Sequence, residues 1–346
     1  MSSATSARTL DPRKITVNIA AGAILLAVAV WLGINLVNDP ALFFTVAVDG
    51  LRNGALYALI ALGYTMVYGI IQLINFAHGD LFMLGTLAAS FFITTLFGIT
   101  TAGVSAFGFM VFGIALIGSM VFCSGLNVAI ERFAYRRLRR APKLAPLITA
   151  VGMSFILQFI GLRWNGSGQK QWASVLPQTN LEIAGARIEV KALIVFAVAI
   201  PLLLLMTWLV TKTKQGKAMR TTAQAQDAAR LMGIDVNRTI AFTFALGGAL
   251  AGAAGLMYQQ VVGTTSYALG YQLGLIAFTS AVLGGIGNLT GAVLGGVLIG
   301  LIQGLNDGLA IGLGQQWSQT VVFTILILLM VFKPTGLLGK PVTEKV

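Results

Sequence analysis

TKTKQGKAMRTTAQAQDAARLMGIDVNRT, residues 211–239, lies between the apolar runs Ala192–Val210 and Ile240–Val262, each long enough to cross a bilayer. It is the longest polar stretch of the chain. It carries Lys212, Lys214, Lys217, Arg220, Arg230 and Arg238 against Asp227 and Asp235 alone. A basic loop beside membrane spans is expected on the cytoplasmic side. Between Ala218 and Met232 there is neither Pro nor Gly, and Ala, Gln, Arg, Leu and Met favour helix. Gly233 supplies a helix stop. On that helix Ala218, Ala225, Ala229 and Met232 share one face, with Arg220, Gln224 and Asp227 turned elsewhere. The loop reads either as a solvated connector that fixes orientation or as a docking helix for a cytoplasmic partner.

Outward from this loop the chain repeats the same grammar. It is 57% hydrophobic and 10% charged, where a soluble domain carries about 25% charge. Long apolar runs recur at Ile15–Val37, Phe44–Ile74, Leu81–Phe97, Val104–Ile130, Leu144–Trp164, Ala192–Val210, Ile240–Val262, Leu273–Ile286, Gly291–Leu305 and Trp317–Phe332. The fold class is therefore all-α, a polytopic helical membrane protein, with residues 1–346 forming one transmembrane domain. The first run follows Arg8, Arg13 and Lys14 but exceeds a signal h-region of roughly 7–15 residues, so a retained first span is expected. The runs 273–286 and 291–305 are short and form either two spans or one re-entrant pair. The total is about 8–10 transmembrane or re-entrant helices, with both termini on one side.

Charge chooses the side. Segments 1–14, 131–143, 211–239 and 333–346 hold 18 of the 23 Lys and Arg residues, which places both tails and the central loop in the cytoplasm. The net charge of +12 could suggest nucleic acid, but its confinement to loops between spans fits the bilayer surface instead, so no nucleic-acid partner is expected. Residues 165–189 face outside and have the length of a small cap or hairpin. Cys123 is the one cysteine and reads as a buried free thiol.

Glycines form the second pattern. Gly291-x-x-x-Gly295, Gly296-x-x-x-Gly300 and Gly300-x-x-x-Gly304, with Gly284 and Gly285 before them and Gly248-x-x-x-Gly252 elsewhere, let helix backbones approach closely in lipid. They read as intrachain packing first, and otherwise as a subunit interface or a path lining. Polar residues within the apolar runs are few. Asn75, His78 and Asp80 end the second run, as a helix-end network whose members satisfy each other or as part of a translocation path. Asp49 and Arg52 are spaced to pair, Tyr57, Tyr64 and Tyr68 share a face, and Asn306-Asp307-Gly308 reads as an outer turn. There is no Gly-x-x-x-x-Gly-Lys-Ser/Thr loop, no zinc spacing and no nucleophile–base pair, so neither an enzyme nor a metal site is expected.

Three stretches together resemble a known family. They are Asn53–Gly69 continuing through Asn75-Phe-Ala-His78-Gly79-Asp80 to Gly85; Gly216-Lys-Ala-Met219-Arg220 followed by Asp227-Ala228-Ala229-Arg-Leu-Met232-Gly233; and Ala277–Gly296 with its Gly284-Gly285-Ile-Gly287 turn. In this combination the chain, from about Asp49 to Phe332, resembles the permease of a branched-chain amino acid ABC importer, the Liv H-type subunit. The resemblance implies an ABC importer permease fold in the bacterial cytoplasmic (inner) membrane. It implies a second permease subunit, two ATPase subunits that bind the ATP, and an extracytoplasmic substrate-binding protein; the chain itself holds no cofactor. It makes Asp227-Ala228-Ala229-x-x-x-Gly233, with Met219 and Arg220 before it, the element that enters a cleft of the ATPase, with Asp where the family pattern has Glu and without its later Leu-Pro. The implied cargo is a branched-chain or related amino acid. Relatives that carry urea or short amides are the alternative, and a stand-alone secondary transporter or channel is a further one.

Overall fold

The computed structural model describes residues 12–339 except 74, 102, 140, 143 and 184. The chain forms α1 (Pro12–Asn38), α2 (Pro40–Ile71), α3 (Ala77–Ser90), α4 (Ala106–Ile130), α5 (Leu144–Asn165), α6 (Val190–Lys212), α7 (Lys214–Gln224), α8 (Gln226–Leu231), α9 (Val236–Val262), α10 (Leu269–Gly284), α11 (Leu289–Gly308) and α12 (Ser318–Phe332). Among the described residues, eight helices are long and apolar enough to cross a membrane, α3 and α4 with the turns that extend them and α12 with the short turn before it. α1 and α10 occupy the other two apolar runs. Among the described residues, strands are confined to two small antiparallel pairs. β1 (Lys170–Gln171) pairs with β4 (Thr264–Thr265), and β2 (Asn180–Ile183) with β3 (Ala186–Glu189). The second pair is the hairpin that the length of 165–189 suggests. The tails 1–11 and 340–346, and Arg140 and Lys143 of the basic segment 131–143, lie outside the described residues.

α2, α3 and α9 form the centre. Residues 54–67 of α2 and all of α3 are buried, so these helices are enclosed on every side rather than along one stripe. Glycine lets them touch. α11 lies along α2 with Gly296 against Ala58, Gly300 against Gly54 and Gly304 against Gly50, one turn apart on both helices. Gly295 meets the carbonyl of Ser280 in α10, and Gly291 meets Gly284. α9 meets α4 the same way, Gly248 on Cys123 and Gly252 on Ser119, while Gly255 meets α3 at Gly85. At each of these glycines a Cβ would strike backbone, which cannot rotate away. The glycine runs are therefore spent on intrachain packing. Cys123 is fully buried in this contact, its thiol 3.3 Å from the Leu81 carbonyl.

The runs 273–286 and 291–305 fall in α10 and α11, of which α11 has span length and α10, at 16 residues, is shorter; the turn Gly285–Asn288 joins them, with Gly285 and Gly287 at φ of 106° and 91°. The turn is tied to the C-terminal segment: Leu337 and Leu338 donate to Leu283 and Gly284, and Asn288 donates to Leu338 at 2.7 Å. Two local expectations need correction. Asn306-Asp307-Gly308 is the last turn of α11, not a loop: Asn306 is buried and bonds Asp307 and the Gly314 carbonyl, and Gly308 packs on Val46 of α2. The chain turns later, at Gly314 with φ 86°. The helix of the fourth run does not stop at Ile130 either. It continues as a π-helical turn, Glu131–Tyr135, and one 3₁₀ turn to Leu138.

The described residues of segments 131–143 and 211–239 share one end of the bundle. Arg139 donates to Asn237 at the start of α9, and Met219 and Arg220 line one crevice with Gly287. At the opposite end Arg52 bridges Asp49 at 3.0 Å and Glu189 at 2.8 Å, fastening the β2–β3 hairpin to α2. There too Gln260 accepts from the Val175 amide, which ties the segment after β1 to the end of α9.

Candidate functional site

α3 begins inside the bundle, and α10 begins against it. α2 ends at Ile71 with Gln72 in the left-handed region, φ 53° and ψ 33°, and α3 starts again at Ala77. The first turn of α3 lies beside the middle of α2 and α9, because Gly63 touches both His78 and Gly247. α10 also starts late. After β4 the chain runs inward, and Gly270 in the first turn of α10 lies against Gly79 and Asp80, with Gly274 against Gly79 one turn on. No side chain caps α10 at Ala268. Helix ends that meet inside a bundle, with irregular backbone between, bring polar groups together away from solvent.

The polar residues at this junction are buried and reach outward to other helices. Ser154 of α5 donates to Asp80, and Gln158 donates to Ser154 at 3.1 Å. Tyr135 donates to Asn75 Oδ1 at 2.8 Å. His78 lies edge-on to Tyr64, ring centroids 4.6 Å apart. Asn75, His78 and Asp80 therefore do not satisfy one another as the helix-end reading expects; each looks to a different segment, Asn75 from the break itself and His78 and Asp80 from different sides of the first turn of α3. Asp80 Oδ1, Asn75 Nδ2 and both His78 ring nitrogens have no hydrogen-bond partner among the described residues. A buried polar atom left so costs about 1–3 kcal/mol. Four such atoms gather at this one helix break.

The basic loop makes the second part of the site. Thr213 caps α7 by accepting from the Gly216 amide at 3.1 Å. Gly216 is pressed on the carbonyls of Leu209 and Val210, and Arg220 donates to Val210, so α7 folds back on α6. The expected single helix from Ala218 to Met232 is broken at Ala225, which is extended at φ −156° and ψ 103°. Helix preference there is worth fractions of a kcal/mol and yields to the packing of α8. The break also divides the expected alanine face: Ala229 is fully buried, whereas Ala225 and Met232 are exposed. α8 ends on Gly233, φ 78°, with Ile234 donating to Ala229 and Gly233 to Arg230, a Schellman closure. α8 and the residue after it offer Asp227, Ala228, Arg230, Leu231 at 91% exposure and Met232 at 76% to solvent.

Residues 46–331 match the family described as branched-chain amino acid transport system / permease component. The chain belongs to this family. It is 38% identical over 303 residues to the high-affinity branched-chain amino acid transport system permease protein BraD of Pseudomonas aeruginosa, covering 86% of this chain and 96% of that one. LivH of Escherichia coli K12, a permease protein of the same description, is 36% identical over 304 residues, again 86% and 96%. A probable LivH of Methanocaldococcus jannaschii is 29% identical over 243 residues, 69% of this chain and 73% of that one. No solved structure matches.

This permease is thus a multi-pass membrane protein in which the sequence-derived site residues fall into three structural groups. Gly284, Gly285, Gly291, Gly295, Gly296 and Gly300 are packing and turn positions. Met219 and Ala229 are buried and hold α7 and α8 in place, while Asp227 pairs with Arg230 at 3.1 Å on the surface. Asn75, His78 and Asp80 line the helix break. Sequence reading missed Tyr135, Ser154 and Gln158, whose positions depend on how α4 and α5 cross α3. It also missed Leu231 and Met232 as the exposed tip. Their signal was legible: two large apolar residues before a glycine in an otherwise polar loop.

Proposed function

We propose that this permease is one membrane subunit of an ABC importer that carries branched-chain amino acids inward across the bacterial cytoplasmic membrane. The basic end of the bundle faces the cytoplasm. There the tip Leu231-Met232, carried on α7–α8 and aimed by Gly233, seats in a cleft on a separate ATPase subunit. That exposed apolar tip on a polar face is the observation that carries the reading, because a large apolar pair left in water outside the spans marks an interaction surface. ATP is bound and hydrolysed by two such subunits, and the permease supplies no catalytic group. A second permease completes the path, and a binding protein delivers cargo at the end carrying the β2–β3 hairpin. The amino acid passes the junction of α3 and α10, where Asp80 faces its ammonium group. The names of the relatives favour leucine, isoleucine and valine over urea and short amides. The test is the complex reconstituted in proteoliposomes with its binding protein. Stimulation of ATP hydrolysis and uptake by branched-chain amino acids is expected; stimulation by urea or amides alone would overturn the assignment.

A further inference from the structure

The π-helical turn Glu131–Tyr135 joins the two parts of the site, and nothing in the transport reading uses it. At one end Tyr135 donates to Asn75, in the break between α2 and α3, at 2.8 Å. At the other, Glu131 is fully buried and accepts from Arg136 at 2.9 Å and from Arg139. Arg139 also donates to Asn237 at 2.8 Å. Asn237 lies in the first turn of α9, whose N-cap Asp235 follows the Gly233 closure of α8 after one residue. A continuous line of hydrogen bonds and short, capped chain thus runs from the exposed tip Met232 to the break beside His78 and Asp80.

We infer that this turn is the relay by which docking at α7–α8 reaches the membrane break; the inference rests on the docking role proposed above. The physical basis is the π turn itself, closed by the Arg136 amide on the Glu131 carbonyl. A π turn holds one residue more than an α turn. Its conversion to α bonding moves the following residues by about 1.5 Å along the axis and about 100° around it. Tyr135 cannot keep its bond to Asn75 through such a change. The turn therefore has two discrete arrangements, one gripping the break and one releasing it, as a coupling element requires. Glu131 sets the balance. A carboxylate held at zero exposure needs both arginines, so a pull on Arg139 through Asn237 is felt inside the turn. Movement of α8 against α9 when the ATPase closes supplies that pull. Tyr135, Arg139 and Asn237 are positioning residues on this account, acting through Asn75 on the path.

The test uses the whole complex with Tyr135→Phe, Asn237→Ala and the double variant, each removing one hydrogen bond without opening the core. The readout is the ratio of ligand-stimulated to basal ATP hydrolysis, and of uptake to ATP consumed. Each single variant should shift these ratios about three- to tenfold, the range of one lost hydrogen bond. The double variant should be no worse than the stronger single one, because both cut the same line. Wild-type ratios with ATPase subunits still bound, or effects that multiply as if independent, would overturn the relay. A purely structural role would lower complex yield and leave both ratios alone. Truncation of Leu231 and Met232 in parallel separates the two readings: ATPase subunits that remain bound then count against the docking site and not against the turn.

Discussion

Truncating the tip of the basic loop should release the ATPase subunits while leaving the permease folded. Leu231 and Met232 are 91% and 76% exposed, so neither supports the fold by burial. If they enter a cleft on the partner, each contributes about 1.5–3 kcal/mol as its apolar surface leaves water. Alanine keeps part of that surface, so Leu231→Ala with Met232→Ala removes about 2–4 kcal/mol. That corresponds to roughly thirty- to several-hundred-fold in affinity. Tagged permease in detergent, with ATPase subunits titrated and pulled down, reads the change directly, and melting of the permease alone serves as the control. Loss of ATPase subunits with an unchanged melting temperature is the expected result. Wild-type affinity in the double variant would refute the reasoning, since no other large apolar pair is presented by the described residues of α7–α8.

Ala229→Trp should act differently from truncation of the tip: Ala229 is fully buried, so a large ring unseats α8 from the fold, and protease sensitivity of the loop should rise together with loss of ATPase binding. Gly233→Val should weaken coupling as well, because a β-branched residue resists the φ of 78° that closes α8, and uptake should fall while binding-protein docking persists. Gly300→Leu and Gly295→Leu should cripple assembly. Even a Cβ at these positions strikes backbone of α2 or α10, an overpacking cost of about 1–3 kcal/mol before the rest of the side chain is counted. Gly125→Ala, with nothing within 4 Å of its Cβ, should leave yield unchanged; equal yield for all three would contradict the packing. Cysteine labelling in intact cells should mark Ser167→Cys from outside and not Gln215→Cys, and the reverse pattern would invert the orientation.

The class of this protein follows from its sequence alone because a bilayer imposes lengths and charge rules that leave little freedom. Apolar runs of span length, 18 of 23 cations in four segments and glycines spaced by four are one-dimensional signals, and each maps onto one structural consequence. The Asp49–Arg52 pair, the buried thiol of Cys123 and the stop at Gly233 are local in the same sense and stand in the structure as read. Other features depend on what lies across the chain. Ala225 breaks a helix that its neighbours favour, because burial of Ala229 outweighs a propensity of a few tenths of a kcal/mol. Gly308 ends α11 packed on Val46, 262 positions away in sequence, where a side chain would not fit. Glu131 reads as one more loop charge until Arg136 and Arg139 are seen to enclose it. Asn75, His78 and Asp80 are recognisable as misplaced polar residues, yet their partners Tyr135, Tyr64 and Ser154 come from three other segments. Sequence spacing governs contacts within about one helical turn; the pairings that build the site are made between helices, and only the packed bundle selects them.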